Sequence, residues 1–453
     1  DVKDEKNIQL LSDDYAKFIR FCHYNVSKNK SGIIGLITKN TYLNVSAFKG
    51  MRKKLLEEFD KIYILDLHGK MYEKCNDGSP NQNVFDIRVG TSIMFLIKNN
   101  TKNKKYGSLF FHDFNGTRES KYERLSFKTI DDIEWEELDI DEKYYFFEKK
   151  NFINKKDYDQ GIEVDKLFNI YNSGIETGRD HFIIGNSEIE LKNRLNDFIN
   201  SELSIKELRE KYSLSDQPKF NLQSVKKQFK KLDIEKIQTY SHKPFLNRFV
   251  YYDSLLLRRH SDRVMNQFFN RTDNHMLLLK KRFLDDCYHH CFYTNKMTDR
   301  NFLSGQTYCF PLYLYDNETS SQTSLYTKKT RTPNLNPEIV KQIEEGLGIA
   351  FVSEKEHTPN PSQEGNKTFA PIDLLDYIYA VLHSPSYREK YKEFLKIDFP
   401  RVPYPTSLSK FQTLTKLGSE LRQIHLLESP VVEDFITQYP EDGTNIVGKL
   451  YYE

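Results

Sequence analysis

The stretch 32–67, GIIGLITKNTYLNVSAFKGMRKKLLEEFDKIYILDL, decides the fold class of the first part of the chain. It opens on Gly32–Thr38, a short apolar run with β-branched residues and glycine at its edge, which predicts a buried parallel strand. Residues 47–59 predict a helix, and Lys61–Leu67 predicts a second buried strand. Alternation of strand, helix and strand is typical of an α/β sheet.

The flanking residues extend this α/β pattern over about 1–130. Side chains at helical spacing behind Ser12, a helix-capping residue type, predict a helix over 12–28. These side chains are Tyr15, Phe18, Ile19, Cys22 and His23. The run 83–98, NVFDIRVGTSIMFLIK, predicts two strands around a turn at Val89-Gly90, and 108–113 predicts an edge strand.

The chain changes character near residue 131, where it becomes acidic and aromatic and contains its only tryptophan, Trp135. We therefore expect a linker over about 131–165. The remainder, 166–453, predicts a mixed α/β domain. Within it, 353–369 is polar and rich in proline, asparagine and glycine, which predicts a flexible loop.

Composition narrows the class of protein. A length of 453 residues suggests two or three domains. The net charge of only +2 excludes a nonspecific polyanion binder, so a nucleic-acid surface must be a local patch. Five cysteines in so long a chain indicate free thiols in a reducing compartment, and we expect the cytoplasm.

The termini and hydropathy carry two further expectations. No apolar run approaches the roughly 20 residues that cross a bilayer, and the N-terminal residues lack a signal-peptide pattern, so no membrane partner is expected. The chain does not begin with methionine, and we expect it to be an internal or C-terminal piece of a longer protein.

Four segments of the first part resemble adenine-N6 DNA methyltransferases of type ISP and related type IIG-like restriction-modification enzymes. They are DDYAKFIRFCHY (13–24), GIIGLITKNTYL (32–43), GMRKKLLEEFDKIYILDLHG (50–69) and NVFDIRVGTSIMFLIK (83–98). Their colinear order is similar to the half of those enzymes that follows the catalytic loop.

Five segments downstream resemble the C-terminal specificity domain of the same enzymes. They are SGIETGRDHF (173–182), HKPFLNRFVYYD (242–253), YCFPLYLY (308–315), YIYAVLHSPSYREKYKEFLKIDFPRVPYP (377–405) and LGSELRQIHLLE (417–428). The resemblance implies the C-terminal part of a Rossmann-like class I methyltransferase sheet, followed by a mixed α/β target-recognition domain. It also implies double-stranded DNA as partner.

Two motifs of that family are missing. The sequence has no glycine-containing S-adenosylmethionine loop before Leu11, and its only Asn-Pro pairs, Asn336-Pro337 and Asn360-Pro361, stand far downstream of the expected Asn-Pro-Pro-Tyr or Phe. The resemblance implies that S-adenosylmethionine binds the full-length parent, and that the isolated chain binds no cofactor and is inactive alone. The missing N-terminal catalytic half would then act in cis or in trans.

The resemblance assigns a role to Phe85. An aromatic residue at this place in the family stacks on the adenine flipped out of the duplex, and an aromatic face restores part of the stacking that a flipped base loses. The alternative, equally weighted, is that Phe85 packs in the core.

Residues 240–282 interleave cations with aromatic rings, a DNA-facing composition, because arginine grips phosphates or reads guanine edges. The candidates are His242, Arg248, Tyr251, Arg258, Arg259, Arg263, Lys280, Lys281 and Arg282. The alternative is a solvated basic helix face around a tyrosine-rich core. In SGIETGRDHF, Gly174 and Gly178 can form a turn that presents Thr177 and Arg179 to a phosphate, or a purely structural turn.

No metal site is expected. The run Cys287–Cys291 lacks a second ligand pair at matching spacing for zinc. Asp285-Asp286 and the acidic residues 134–137 lack the spacing of a nuclease and indicate a solvated surface.

These observations predict DNA recognition and completion of the catalytic fold of a site-specific adenine-N6 methyltransferase. Two alternatives stay open: a non-catalytic specificity subunit that works with a separate catalytic chain, and a degenerate fragment.

Overall fold

The computed structural model describes residues 9–282, 290–315, 331–354 and 368–436. Most of the predicted flexible loop, 355–367, lies outside these residues, as does Cys287. The chain divides into two compact units, Asp1–Asn151 and Phe152–Glu453. This division falls inside the segment 131–165 that the sequence suggests as a linker.

The first unit contains three helices and five strands within its described part. In chain order they are α1 (Asp14–Ser27), β1 (Gly32–Lys39), α2 (Lys49–Glu58), β2 (Lys61–His68), β3 (Thr91–Lys98), β4 (Ser108–Asp113), α3 (Arg118–Phe127) and β5 (Glu136–Leu138). Short 3-10 turns lie at Leu10–Ser12, Asn40–Leu43, Ser46–Phe48 and Ile130–Asp132.

The five strands form one mixed sheet in the order β1-β3-β2-β4-β5. Only β2 and β4 run parallel, and the other neighbours are antiparallel. Strand β2 is central and largely buried, as the KIYILDL run predicts, because apolar side chains cover both of its faces. Ile62, Ile64, Met94 and Leu96 form the middle of this core.

Strand β1 corrects a prediction. It pairs antiparallel with β3 and forms the edge of the sheet, where Ile33 is 69% exposed and Ile37 is 52% exposed. The prediction of a buried parallel strand was wrong because an apolar run does not encode the direction of its neighbour or the covering of its second face.

Three smaller expectations also change. Residues 84–89 form bends rather than a strand, since the Asn83 side chain donates hydrogen bonds to Gly69 O and Val89 O. Strand β4 is not an edge, because β5 pairs with it. Helix α1 begins after Asp13, which accepts a hydrogen bond from the Tyr15 N–H, and not after Ser12.

The second unit is built from many short elements. Its helices are α4 (Lys155–Asp159), α5 (Val164–Leu167), α6 (Asp180–Ile183), α7 (Glu188–Asn200), α8 (Ile205–Lys211), α9 (Leu222–Gln228), α10 (Asp262–Met265), α11 (Pro337–Leu347), α12 (Pro371–His383), α13 (Pro385–Leu395) and α14 (Leu408–His425). Further 3-10 turns lie at Ile234–Lys236, Asn266–Phe268 and Pro430–Glu433.

The strands of the second unit form two four-stranded sheets and three short pairs in the described part. They are β6 (Ile162–Glu163), β7 (Asn172–Ser173), β8 (Ile184–Gly185), β9 (Ile237–Lys243), β10 (Leu246–Tyr251), β11 (Met276–Lys280), β12 (Cys291–Thr294), β13 (Met297–Thr298), β14 (Thr307–Pro311), β15 (Tyr313–Tyr315), β16 (Arg331–Pro333), β17 (Ala350–Phe351), β18 (Thr368–Phe369) and β19 (Arg401–Val402). The larger sheets have the orders β13-β9-β10-β8 and β12-β11-β14-β7.

Helix α12 packs against α14 at the centre of the C-terminal third. Asp376 on α12 is buried and accepts two hydrogen bonds from Arg422 on α14, at 2.7 and 3.0 Å. The helices can approach this closely because residue 418 is glycine: a Cβ there would lie 1.9 Å from the Asp376 carbonyl oxygen. None of the helices in the described residues is both long and apolar enough to span a lipid bilayer.

Candidate functional site

Phe85 lies in the bends that follow Asn83 in the first unit, and it is 44% exposed. Its backbone N–H donates to Asn83 Oδ1 at 2.8 Å. The Asn83 amide in turn donates to Gly69 O at 2.9 Å and to Val89 O at 2.6 Å. The ring is therefore not a core side chain, and its backbone is tied to the neighbouring loop.

Sequence reasoning missed the residues that hold this loop from the other side. They lie on one face of α3: Arg118, Lys121 and Tyr122. Nothing local in the sequence signals them, because the carbonyl groups that they contact lie more than thirty residues earlier in the chain.

A charged cluster joins the ends of β2 and β4 beside the same loop. The His68 imidazole lies 3.1 Å from Asp113 Oδ2 and 3.0 Å from Glu73 Oε1. Burial by itself lowers the pKa of His68, but these two carboxylates, with Asp66 behind them, outweigh burial and raise the pKa to about 10. His68 is therefore a cation at neutral pH.

In the second unit, the structure corrects the expectation for Thr177 and Arg179, which are both buried. The Arg179 guanidinium lies 3.7 Å over the Phe220 ring and donates to Leu256 O, while the Thr177 hydroxyl donates to Asp180. Burial, followed by repulsion from Arg258, lowers the pKa of Arg179 to about 10. These two side chains point into the protein and do not present themselves to a phosphate.

The two glycines of this segment serve close packing. A Cβ at Gly174 would lie 2.6 Å from the Asp299 backbone, so only glycine fits against that strand. Gly178 turns the chain at a φ of 71° beside Arg258. The structural-turn alternative thus accounts for both glycines.

The same segment does bring arginines together at its surface. Glu176 forms an ion pair with Arg258 Nη1 at 3.0 Å and accepts a hydrogen bond from Arg300 Nη1 at 2.5 Å, and its backbone pairs with Arg259. The Arg258 side chain is 57% exposed, and Arg259 is exposed as well. Glu176 thus gathers three arginines into an arginine patch, Arg259 through its backbone alone, and Arg300 was not among the sequence-predicted residues.

The β9–β10 hairpin joins this patch through Asp299. The Asp299 carboxylate accepts from the Tyr240 hydroxyl at 2.6 Å, and Lys243 Nζ donates to Asn301 O at 2.5 Å. His242 and Arg248 lie half-buried on the hairpin, and their Nδ1 and Nε atoms have no hydrogen-bond partner within the described chain. Burial lowers the pKa of His242, so the neutral ring is favoured.

Other members of the predicted cluster lie elsewhere. Tyr251 is buried and packs near Phe229, which corrects its expected place on a DNA-facing surface. Arg263 is exposed on α10. Lys280 and Arg282 flank Lys281, which pairs with Asp398 at 3.1 Å and lies 5.3 Å from the Phe399 ring. Lys281 thus pairs with an acidic residue other than Glu176.

Within the described residues, no group of three or more His, Cys, Asp or Glu side chains is arranged to hold a metal ion. Asp285, Asp286 and Cys287 lie outside the described residues. Glu136 pairs with Lys149 at 2.7 Å, which fits the solvated acidic surface expected for residues 134–137.

Comparison with known proteins places the second unit in a family. The family description "Type ISP C-terminal specificity domain" matches residues 166–453. The comparison with curated proteins finds no significant match.

Three solved structures resemble the chain in fold. A structure described as "ATP-dependent Type ISP restriction-modification enzyme LlaBIII bound to DNA" is 24% identical, with a TM-score of 0.67 over 93% of this chain and 27% of that one. The "cryoEM structure DrdV-DNA complex" is 21% identical, with a TM-score of 0.64 over 92% of this chain and 40% of that one.

The third structure is a nuclease-deletion mutant of the Type ISP restriction-modification enzyme LlaGI in complex with a DNA substrate mimic. It is 21% identical, with a TM-score of 0.63 over 94% of this chain and 38% of that one. The chain therefore spans well under half the length of each of these structures. Because the family description covers more than half of the sequence, the chain belongs to the family of the Type ISP C-terminal specificity domain.

Proposed function

We propose that this chain recognises the target sequence in double-stranded DNA and completes the catalytic fold of a site-specific adenine-N6 DNA methyltransferase of a restriction-modification system. Family membership of residues 166–453 carries the recognition role. The similar structures were determined with DNA, which supports DNA as the partner.

The arginine patch around Glu176 is the DNA-reading surface in this proposal. Arg258 and Arg259 are exposed, and Arg258 shares the Glu176 carboxylate with Arg300. Guanidinium groups can bind two acceptors of a guanine edge at once. Glu176 orients Arg258 through an ion pair, which lowers the entropy lost when the arginine engages DNA.

The open edge of β1 supports completion of a catalytic sheet. No strand in the described residues pairs with the edge of β1 away from β3, and Ile33 and Ile37 on that strand are exposed. An apolar strand with a free edge is a site for pairing with another chain segment. Exposed Phe18 and Phe21 on α1 add apolar surface to the same unit. We infer that the N-terminal catalytic half, in cis or in trans, covers this region.

S-adenosylmethionine belongs to that other half in this proposal. The chain carries neither the glycine loop nor the Asn-Pro-Pro-Tyr or Phe tetrapeptide of the family. We therefore derive no step through the cofactor from the residues of this chain. Its contribution to the reaction would be the Phe85 ring, which stacks on the flipped adenine.

The recognition role is tested by selecting duplexes from a randomised pool with the full chain. We expect one enriched sequence, and a purified duplex of that sequence should bind more tightly than a scrambled duplex of equal length. Uniform recovery of all sequences at every salt concentration would remove the recognition role.

The catalytic role is tested by expressing the chain together with the in-frame sequence encoded upstream of it. Transfer of a labelled methyl group from S-adenosylmethionine to adenine in the selected duplex is expected. If the upstream frame lacks the two motifs, and a separate catalytic chain is needed for transfer, the specificity-subunit alternative replaces the single-chain enzyme.

A further inference from the structure

Four consecutive carbonyl groups around Phe85 are each bound by a side chain from α3. Lys121 Nζ donates to Gln82 O at 2.6 Å, and Arg118 Nε donates to Asn83 O at 2.8 Å. The Tyr122 hydroxyl donates to Val84 O, and Arg118 Nη2 donates to Phe85 O at 3.2 Å. An irregular loop segment thus has every carbonyl from 82 to 85 satisfied by one helix.

The spacing of the three donors explains how one helix reaches four carbonyls. Positions 118, 121 and 122 lie three and four residues apart, and side chains at this spacing project from the same helix face. The helix is itself fixed against the loop, because the Arg118 N–H donates to Gln82 Oε1 at 2.9 Å. Arg118 also pairs with Asp86 at 2.8 Å, which extends the contact past Phe85.

Lys121 anchors the arrangement. It is fully buried, and its ammonium group donates to three neutral oxygens: Leu67 O at 2.8 Å, Asn81 Oδ1 at 2.6 Å and Gln82 O. Three donors therefore meet three acceptors. Burying a lysine is costly unless its hydrogen bonds are satisfied, so this residue fixes the loop relative to the end of β2.

The loop is also held by the side chain of one of its own residues, Asn83. This side chain accepts from the Phe85 N–H and donates to the carbonyls of Gly69 and Val89. The fit is tight, because a Cβ at Gly69 would lie 2.3 Å from the Asn83 Cα. Although the backbone is fixed on both sides, the Phe85 ring remains 44% exposed. The hydrogen bonds of the fixed backbone therefore present this ring at the surface of the first unit.

We propose that Arg118, Lys121 and Tyr122 are positioning residues that hold Phe85 in place to receive the flipped adenine, an inference that rests on the proposed function. Because the loop is already ordered, the ring can stack on the base without a further loss of conformational entropy in the loop. Binding energy would otherwise be spent on ordering the loop. The donors act through the backbone and touch neither the base nor the reacting atoms.

The positioning role is tested first without catalysis. The variant Phe85→Trp, in a Trp135→Phe background, places the only indole of the full chain at position 85. Adding Arg118→Gln together with Tyr122→Phe should lower the anisotropy of that indole and speed amide exchange over residues 83–86 about tenfold. The matched control is Arg124→Gln, since Arg124 lies on the same helix and contacts residues 115 and 120.

This measurement tests the positioning role separately from the proposed function. Unchanged anisotropy and exchange in the double variant, with a folded far-ultraviolet spectrum, would overturn the positioning role even if the chain recognises DNA. Increased mobility at position 85 supports it whatever Phe85 contacts.

The second test uses the enzyme completed by its N-terminal half, and begins with Phe85→Ala. With 2-aminopurine at the target position, Phe85→Ala should change the emission, and single-turnover methylation should slow about tenfold or more. If Phe85→Ala changes neither, the stacking role itself is lost, and with it that part of the proposed function.

Arg118→Gln with Tyr122→Phe should slow methylation about fivefold while the KM for DNA stays within twofold, because only the presentation of the ring changes. In the Phe85→Ala background the same pair should have no further effect, since the ring that they position is gone. Additive losses in that background, or a loss confined to KM, would contradict positioning.

Discussion

Individual arginines and lysines of the second unit should have different effects on DNA binding. Arg259→Ala removes an exposed guanidinium next to Glu176, and a base-reading arginine contributes about 1 to 3 kcal/mol of discrimination. We expect this loss on the selected duplex and a much smaller one on scrambled DNA. Titrations of both duplexes across a salt series measure it.

Lys280→Ala is the matched comparison, because Lys280 is a single cation at the end of β11, and a lysine binds phosphate as a point charge. A phosphate contact weakens binding to all sequences alike, and its removal flattens the slope of log affinity against log salt by about 0.9. If both variants leave the salt slope and the discrimination unchanged, neither residue contacts DNA.

His68 makes stability depend on pH. Its folded pKa of about 10 lies above the unfolded value of about 6.5, so the stabilisation is fully present below pH 6.5 and is lost as pH rises toward 10. His68→Asn keeps a residue that tolerates the positive φ of 52° but removes the charge.

The variant should therefore be less stable by about 1.5 to 3 kcal/mol near pH 6, with a difference that shrinks toward pH 10. Urea unfolding of wild type and variant at several pH values measures this. A destabilisation of the same size at pH 6 and pH 10 would show that the charge is not responsible.

Arg179, Thr177 and Arg300 show what the sequence alone does not predict about the second unit. Arg179 and Thr177 have the composition of an anion site, yet Phe220 and Asp180 turn them inward. Arg300 joins the arginine patch only because Glu176 reaches it across the fold. Composition predicts a DNA-facing surface, but the burial of each side chain depends on partners that are distant in the chain.

At the scale of elements, the close contact of α12 with α14 depends on a glycine, Gly418, which has no side chain. Gly418→Ala would place a Cβ against the Asp376 carbonyl, and overpacking of this kind costs about 1 to 3 kcal/mol. It should also weaken the Asp376–Arg422 pair by separating the helices. Thermal unfolding of the full chain measures the loss.

Leu417→Ala is the control, because Leu417 is an exposed neighbour on the same helix and should change stability by less than about 0.5 kcal/mol. Equal stability of Gly418→Ala and wild type would mean that the helices can separate without cost.

Elements with strong local patterns were predicted well. The spacing of apolar residues predicts helices α1 and α2 and strand β2, since the residues of each buried face lie close together in the sequence. Strand β1 was wrongly predicted to be parallel and buried, because its direction is decided by pairing with β3, which lies far along the chain. The bends at 84–89 were not predicted, because the Asn83 side chain binds backbone carbonyls that a strand would use for pairing.

For the whole molecule, the sequence predicts that the chain alone lacks the means to hold S-adenosylmethionine. Calorimetry with the isolated chain should therefore detect no binding at micromolar concentrations, whereas the completed enzyme should bind. Micromolar binding to the isolated chain would place cofactor contacts in these residues. It would contradict the proposal that S-adenosylmethionine binds the N-terminal catalytic half.

The division between Asn151 and Phe152 has a practical consequence for exchanging specificity between related enzymes. Phe147 is buried in the core of the first unit, and Tyr158 begins the core of the second, so a crossover between them opens neither core. Under the proposed function, a graft at this junction would transfer the choice of target while keeping the host's own first unit, including its counterpart of Phe85. A crossover placed at β1 would instead cut through the sheet and leave backbone groups unpaired on both sides of the splice.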